Sequence, residues 1–368
     1  PEPMNTTNPP DLDLRGKRAV WRAHLKHAQT GAPDLSLALS ATFTVDTLVP
    51  YLGQRALAAG LSNPVFPLAD YNQVIQTCMN PKRAFEGNEP EVIALLWRLE
   101  DLVGEIDAAA MESALESLLR AIRSLRENFD GMIIVSLPPR PRPSAAGLSG
   151  FSRMSDLDRL WRRACLETGD LSRQLRGLYT FDLEECVTAL GEAAAFDVRK
   201  ALLYRQPYSE EFNHVAAAQI FRLVDARKRP AKKCLVLDGD NTLWGGIVGE
   251  DGTGGIAVGQ DFPGNAFREF QRQILALKQS GIFIAINSKN NAQDVWEIFD
   301  VRPEMVLKKT DFSVACINWT PKSENLRTIA RELNIGLDSL VFIDDSNFEV
   351  AEVRAMLAPT ALAGAELL

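Results

Sequence analysis

Cys234-Leu-Val-Leu237 runs directly into Asp238-Gly239-Asp240-Asn241-Thr242. Four apolar residues closed by a polar, glycine-containing turn predict a strand buried on both faces. Side chains at i and i+2 of a strand share a face, so Asp238 and Asp240 are expected side by side at its carboxyl end. Open α/β sheets bind their ligands at that edge. There one carboxylate can attack phosphorus while the other carries a proton to or from the leaving oxygen. Two like charges so close need a cation, and Mg2+, with its preference for oxygen ligands, suits them. Paired aspartates are also common turn residues, so the pair needs company.

Three later segments supply it. Residues 282–286 predict a second apolar strand, followed by Asn287-Ser288-Lys289-Asn290, where a serine hydroxyl could hydrogen-bond a phosphate oxygen. Trp319-Thr-Pro-Lys322 sets a lysine at the start of a predicted helix reaching about Leu333, and its ammonium could neutralise both nucleophile and phosphoryl group. Leu340-Val-Phe-Ile343 is a strand ending in Asp344-Asp345. Singly, Ser288 reads as a turn serine and Lys322 as a surface lysine; the order and the repeated strand-end placement argue for one site.

The first two thirds of the chain predict a separate α/β domain. Helices are expected over 14–29, 45–60, 71–79, 100–129 and 156–168, and strands over 35–39, 65–68, 90–96, 132–137 and 178–183. Residues 1–12 and the proline-rich 138–149 predict irregular chain. Alternation of this kind implies parallel sheets covered on both faces. The basic run 227–233 is the expected linker, so the reading is residues 1–230 followed by 231–368, in keeping with the limit of about 250 residues on a single core.

A hydrophobic fraction of 46% with 24% charged residues is ordinary for a globular protein. A net charge of −8 argues against nucleic acid as partner. No apolar run approaches the roughly 18 residues of a membrane span. Five cysteines without a CxxC pair fit a reducing, cytoplasmic setting rather than a disulfide framework or zinc site.

The series DxDxT, strand-Ser, Lys and strand-DD resembles the four motifs of the haloacid-dehalogenase (HAD) superfamily. More narrowly, KKCLVLDGDNTLWGGIVGEDG, INSKNN, NWTPKSENL and LNIGLDSLVFIDDSNFE resemble the FkbH-like subfamily of polyketide assembly lines over about 125 residues. The N-terminal part is similar, more loosely, to the SGNH-hydrolase-like domain those proteins carry. The resemblance implies a flavodoxin-like first domain and a Rossmann-like, capless second one. It implies Asp238 as nucleophile and metal ligand, and Asp240 as acid/base that lends its backbone carbonyl to Mg2+. Asp344 and Asp345 would complete the metal site; Ser288, Lys322, Asn241 and Thr242 would serve the phosphate and its loop. The activity implied is removal of phosphate from 1,3-bisphosphoglycerate and loading of a glyceryl or lactyl unit on the phosphopantetheine thiol of an acyl carrier protein; the alternatives are a Mg2+-dependent phosphatase of a small phosphate ester and a catalytically retired carrier-protein docking domain. The opening Pro-Glu-Pro, without Met, fits a piece of a larger assembly-line polypeptide as well as an added terminus.

Two positions depart from the family pattern. Gly239 replaces a bulky apolar residue, which would loosen the strand end, and Asn287 stands where many relatives carry Cys. Cys316 is the better-placed substitute thiol; Cys234 lies about four residues, some 13 Å, from Asp238. The 45 residues between Thr242 and Ser288 and the 33 between Ser288 and Lys322 are too few for a folded cap. Within the first interval, residues 245–252 are either a mobile flap or a solvated turn. In the N-terminal domain Ser40, Asn72 and His214 occupy hydrolase-like places, without a GDS around Ser40 or a DxxH around His214. A helix-cap serine and a packed or surface histidine account for them better. Arg199, Lys200 and Arg205 could face an acidic carrier.

Overall fold

The computed structural model describes residues 13–27, 31–103, 108–142, 150–228 and 231–357. The expected irregular stretch 1–12 lies outside these, as does most of the proline-rich loop. The chain divides into two compact units, 1–226 and 227–368.

The first unit is built on β1 (Leu35–Ala41), β2 (Pro64–Val65), β3 (Val92–Leu96), β4 (Met132–Leu137) and β5 (Leu178–Asp182). All pairs are parallel and the order is β2-β1-β3-β4-β5, the flavodoxin-like doubly wound arrangement. Both faces are dry: Leu35, Leu37 and Leu39 pack to one side, Ala38, Ile93 and Leu95 to the other. That is why these strands read as continuous apolar runs instead of alternating ones. The expected helix over 156–168 is the middle of a longer one, Gly150–Gln174. The expected linker begins inside a helix, since Glu210–Lys228 includes Arg227 and Lys228 in its last turn, where cations complement the helix dipole.

The second unit holds β6 (Cys234–Leu237), β7 (Phe283–Ser288), β8 (Val314–Ile317) and β9 (Leu340–Ile343), again all parallel, in the order β8-β7-β6-β9. Counted within the unit this is 3-2-1-4, the Rossmann-like half-sheet, whose strand order reverses between β6 and β9. Leu235, Leu237, Ile284 and Ile286 pack on one face, and Val236, Ala285, Phe342 and Cys316 on the other. The two motif intervals hold the helices Val248–Gly255, Gly264–Gln279 and Ala292–Val301 plus β8, and no separate cap among the described residues. No helix of the described residues is long and apolar enough to cross a membrane.

Candidate active site

The reversal between β6 and β9 opens a crevice at the carboxyl edge, and the strand ends deliver Asp238 and Asp344 to it. The ladder reaches the first of them: the Asp238 N–H donates to the Ile343 carbonyl at 3.0 Å. Lys322 opens the helix Lys322–Glu332 behind Pro321. A cation at a helix N-terminus is disfavoured by the helix dipole, and this one is 3% exposed. Two carboxylates offset that cost. Its Nζ lies 2.9 Å from Asp238 Oδ1 and contacts Asp344 Oδ2. Burial works against the ammonium, yet Asp238 and Asp344 outweigh it and hold its pKa above the ordinary value. Asp238 moves the other way, pushed up to about 6 by burial and by Asp344 against the pull of Lys322.

Asp345 is exposed and joins the same group. Carboxylate oxygens of Asp238, Asp344 and Asp345 all lie within 4.8 Å of one another. Three carboxylates face one ammonium, a surplus of two negative charges in a mostly buried place. Burial and Asp344 also raise the Asp345 carboxyl. Such an all-oxygen, doubly negative donor set fits a hard divalent cation.

The strand expected to carry Asp238 and Asp240 together ends before both. β6 stops at Leu237, and a turn follows in which the N–H groups of Thr242 and Leu243 donate to the Gly239 carbonyl. Asp240 turns to its own partners. Its Oδ1 accepts from Trp244 Nε1 at 2.9 Å and Val248 N–H at 3.1 Å, and its Oδ2 from Asn290 Nδ2 at 2.9 Å. Its carboxylate is thus not among the metal-type group. Asn290, which sequence reasoning passed over, also donates to Ser288 Oγ at 3.2 Å. Ser288 is buried at the last position of β7, two residues past the expected strand end.

Asn241 adopts a left-handed conformation (φ 54) that asparagine tolerates. Its Oδ1 accepts from Gly246 N–H, and its side chain also reaches Asp345. Thr242 is buried beside it. The glycine-rich segment is neither a loose flap nor a simple turn. Much of it forms the helix Val248–Gly255, kinked at Gly252, and Arg302 donates to the carbonyls of Thr253, Ile256 and Val258 beyond it. Gly239 has a local reason: a Cβ there would stand 3.0 Å from the Trp244 ring and 3.1 Å from Ser288 Oγ.

The candidate thiol and the N-terminal trio are not supported. Cys316 pairs with Asn287 across β7 and β8, is 7% exposed, and packs with Leu326 and Ile329. Burial, with Glu332, raises its thiol above the ordinary value, the opposite of an activated nucleophile. Cys234 is buried too, its thiol pushed up to about 12. Asn287 instead donates to the Lys322 carbonyl at 3.1 Å and accepts from Asn325 at 3.0 Å, stitching β7 to the lysine's helix. In the first unit Ser40 is fully buried within β1 and shares a hydrogen bond with Thr77 at 3.0 Å. His214 Nε2 faces Lys17 Nζ at 3.1 Å, its ring stands edge-on to Tyr51, and burial holds its pKa near 4. Asn72 sits exposed in a turn with φ 56. Among the described residues no hydrogen bond joins Ser40 to His214.

A half-Rossmann sheet with an aspartate after its first strand, a buried lysine and an acidic pair after its last defines a HAD-like domain of the phosphatase kind. No protein-family model matches the chain, and no curated protein matches it in sequence. Among solved structures it is 30% identical to the N-terminal part of BF1531 from Bacteroides fragilis, described as containing a phosphatase domain and complexed with Mg. That match covers 94% of this chain and 92% of the other, with a TM-score of 0.77. The chain belongs to the family of that phosphatase-domain-containing protein. A salicylyl-acyltransferase from a tetracycline biosynthetic pathway, SsfX3, is 14% identical over 55% of this chain and 56% of its own. Its TM-score of 0.35 carries no argument.

Proposed function

We infer that the C-terminal unit is a Mg2+-dependent phosphoryl-transfer enzyme. The observation that carries this reading is Asp238, buried against Lys322 beside Asp344 and Asp345. Asp238 and Asp344, with Asp345, would hold the ion, which neutralises charge around the phosphoryl group. The backbone carbonyl of Asp240 is a further ligand by the family resemblance. The Asp238 carboxylate attacks phosphorus, an O–P bond forms, and the bond to the leaving oxygen breaks. Lys322 balances the equatorial oxygens and Ser288 donates to one of them. Asp240 protonates the leaving oxygen. It then takes a proton from the water that splits the aspartyl-phosphate, returning Asp238 and releasing phosphate.

We further propose 1,3-bisphosphoglycerate as substrate and an acyl carrier protein as acceptor. The carrier thiol attacks the acyl carbon of the mixed anhydride, forming C–S as the C–O bond to phosphate breaks and the thiol proton passes to the released phosphate; the remaining 3-phosphate ester is hydrolysed through Asp238 to leave the glyceryl thioester. No redox partner is needed. The first unit would dock the carrier: the helix Val198–Tyr204 leaves Val198, Leu202, Leu203 and Tyr204 exposed, with Arg199, Lys200 and Arg205 alongside. An apolar stripe with cations fits an acidic carrier surface. A simpler reading, phosphate-ester hydrolysis alone, is favoured by the burial of Cys316 and by Asn287 in place of a thiol.

The test is incubation with Mg2+, 1,3-bisphosphoglycerate and holo carrier protein, followed by intact mass and phosphate measurement. A glyceryl adduct on the carrier, lost in Asp238→Asn, supports the transferase. Phosphate release without adduct supports the simple phosphatase. A protein that turns over neither acyl phosphates nor phosphate esters refutes both.

A further inference from the structure

We propose that Asn290 is a positioning residue that sets the hydrogen-bond polarity of Ser288 and the aim of Asp240. The inference rests on the phosphoryl-transfer reading above and names a residue that reading leaves unused. The Asn290 amide nitrogen donates to Asp240 Oδ2 at 2.9 Å. The same nitrogen lies 3.2 Å from Ser288 Oγ. Its two hydrogens are therefore divided between the two side chains. Ser288 Oγ, accepting from Asn290, keeps its own O–H free to donate, as a phosphate oxygen requires. Asp240, held at Oδ2 by Asn290 and at Oδ1 by Trp244 and Val248, is fixed in one orientation. Asn290 is 7% exposed, so water is a poor substitute for it. Because its amide touches both side chains, one substitution should disturb proton delivery and phosphate binding together.

The test compares two esters on the full chain with Mg2+: p-nitrophenyl phosphate, whose leaving group needs little protonation, and glycerol 3-phosphate, whose alkoxide needs it. Asn290→Ala is expected to lower kcat on the alkyl ester about 100-fold, within the range of general acid catalysis, and on the aryl ester about 10-fold less severely. Inhibition by inorganic phosphate should weaken in the same variant. In an Asp240→Asn background the difference between esters should no longer respond to Asn290→Ala. Asn290→Leu, of similar size and without a donor, carries the same comparison if the alanine variant does not fold. Equal losses on both esters with unchanged phosphate inhibition, or no loss at all, overturn the role of Asn290 while leaving the phosphoryl-transfer reading intact. A wild-type protein inert on both esters, on acyl phosphates and in phosphate release overturns both.

Discussion

At the residue scale, Lys322 is the position where two physical rules conflict and function decides the outcome. Helix dipole and burial both oppose an ammonium there, and only the carboxylates of Asp238 and Asp344 make it tenable. Removing it as Lys322→Met should abolish turnover and, without added Mg2+, cost about 3–5 kcal/mol of stability in the C-terminal unit, as for breaking a buried ion pair. Denaturant unfolding with and without Mg2+ checks this; the ion should recover much of the loss. Gly239 offers a second test. Its missing Cβ leaves room for the fully buried Trp244 ring and for Ser288. Gly239→Leu should be destabilising by about 1–3 kcal/mol, typical of overpacking, and should lower kcat through Asp240 and Ser288. The motif residues were legible because chemistry dictates their type and order. The partners of Asp240 were not, because the i, i+2 rule holds only while a strand continues, and β6 ends one residue before Asp238.

At the element scale, three features escaped a reading of periodicity. β8 is four residues long with Cys316 at its third place, too short for alternation to register. The helix Val248–Gly255 contains four glycines and owes its place to Asp240, Asn241 and Arg302 rather than to propensity. The helix Val198–Tyr204 buries none of its residues, so no core-facing stripe marks it. Its exposed face is testable in its own right. Charge reversal by Arg199→Glu with Arg205→Glu should slow carrier loading about tenfold at low ionic strength and less at high salt. Hydrolysis of p-nitrophenyl phosphate should not change. Stopped-flow loading with intact-mass readout distinguishes the two.

At the scale of the whole molecule, both parallel sheets were legible because strands buried on two faces appear as unbroken apolar runs. Buried charge was not, and it shapes the response to pH. Asp101 accepts from Thr42 at 3.0 Å, and burial pushes its carboxyl up to about 6, with Glu100 adding to the rise and Arg98 opposing it. An unfolded aspartate titrates near about 3.9. Between these values the folded protein binds more protons than the unfolded one, so this group's contribution to stability falls as pH rises from about 4 to about 6 and stays low above. Asp101→Asn should remove that slope, about 2 kcal/mol across the window, as read from paired unfolding curves at pH 4 and pH 7. His214, held near 4, acts in the opposite sense and weakens the fold as pH drops below about 6.5.

The order β8-β7-β6-β9 has a consequence for how the protein is made. The strand that leads into Asp344 and Asp345 is the last of the four in this sheet to be synthesised, yet its partner is the first strand of the unit, more than 100 residues earlier. Until Leu340–Ile343 docks against Cys234–Leu237, the nascent chain has Asp238 and Lys322 but not the rest of their cluster. Translation that stalls before residue 340 therefore yields fragments without phosphoryl chemistry, however well the N-terminal unit has folded. Activity in a lysate would count only chains extended past Asp345.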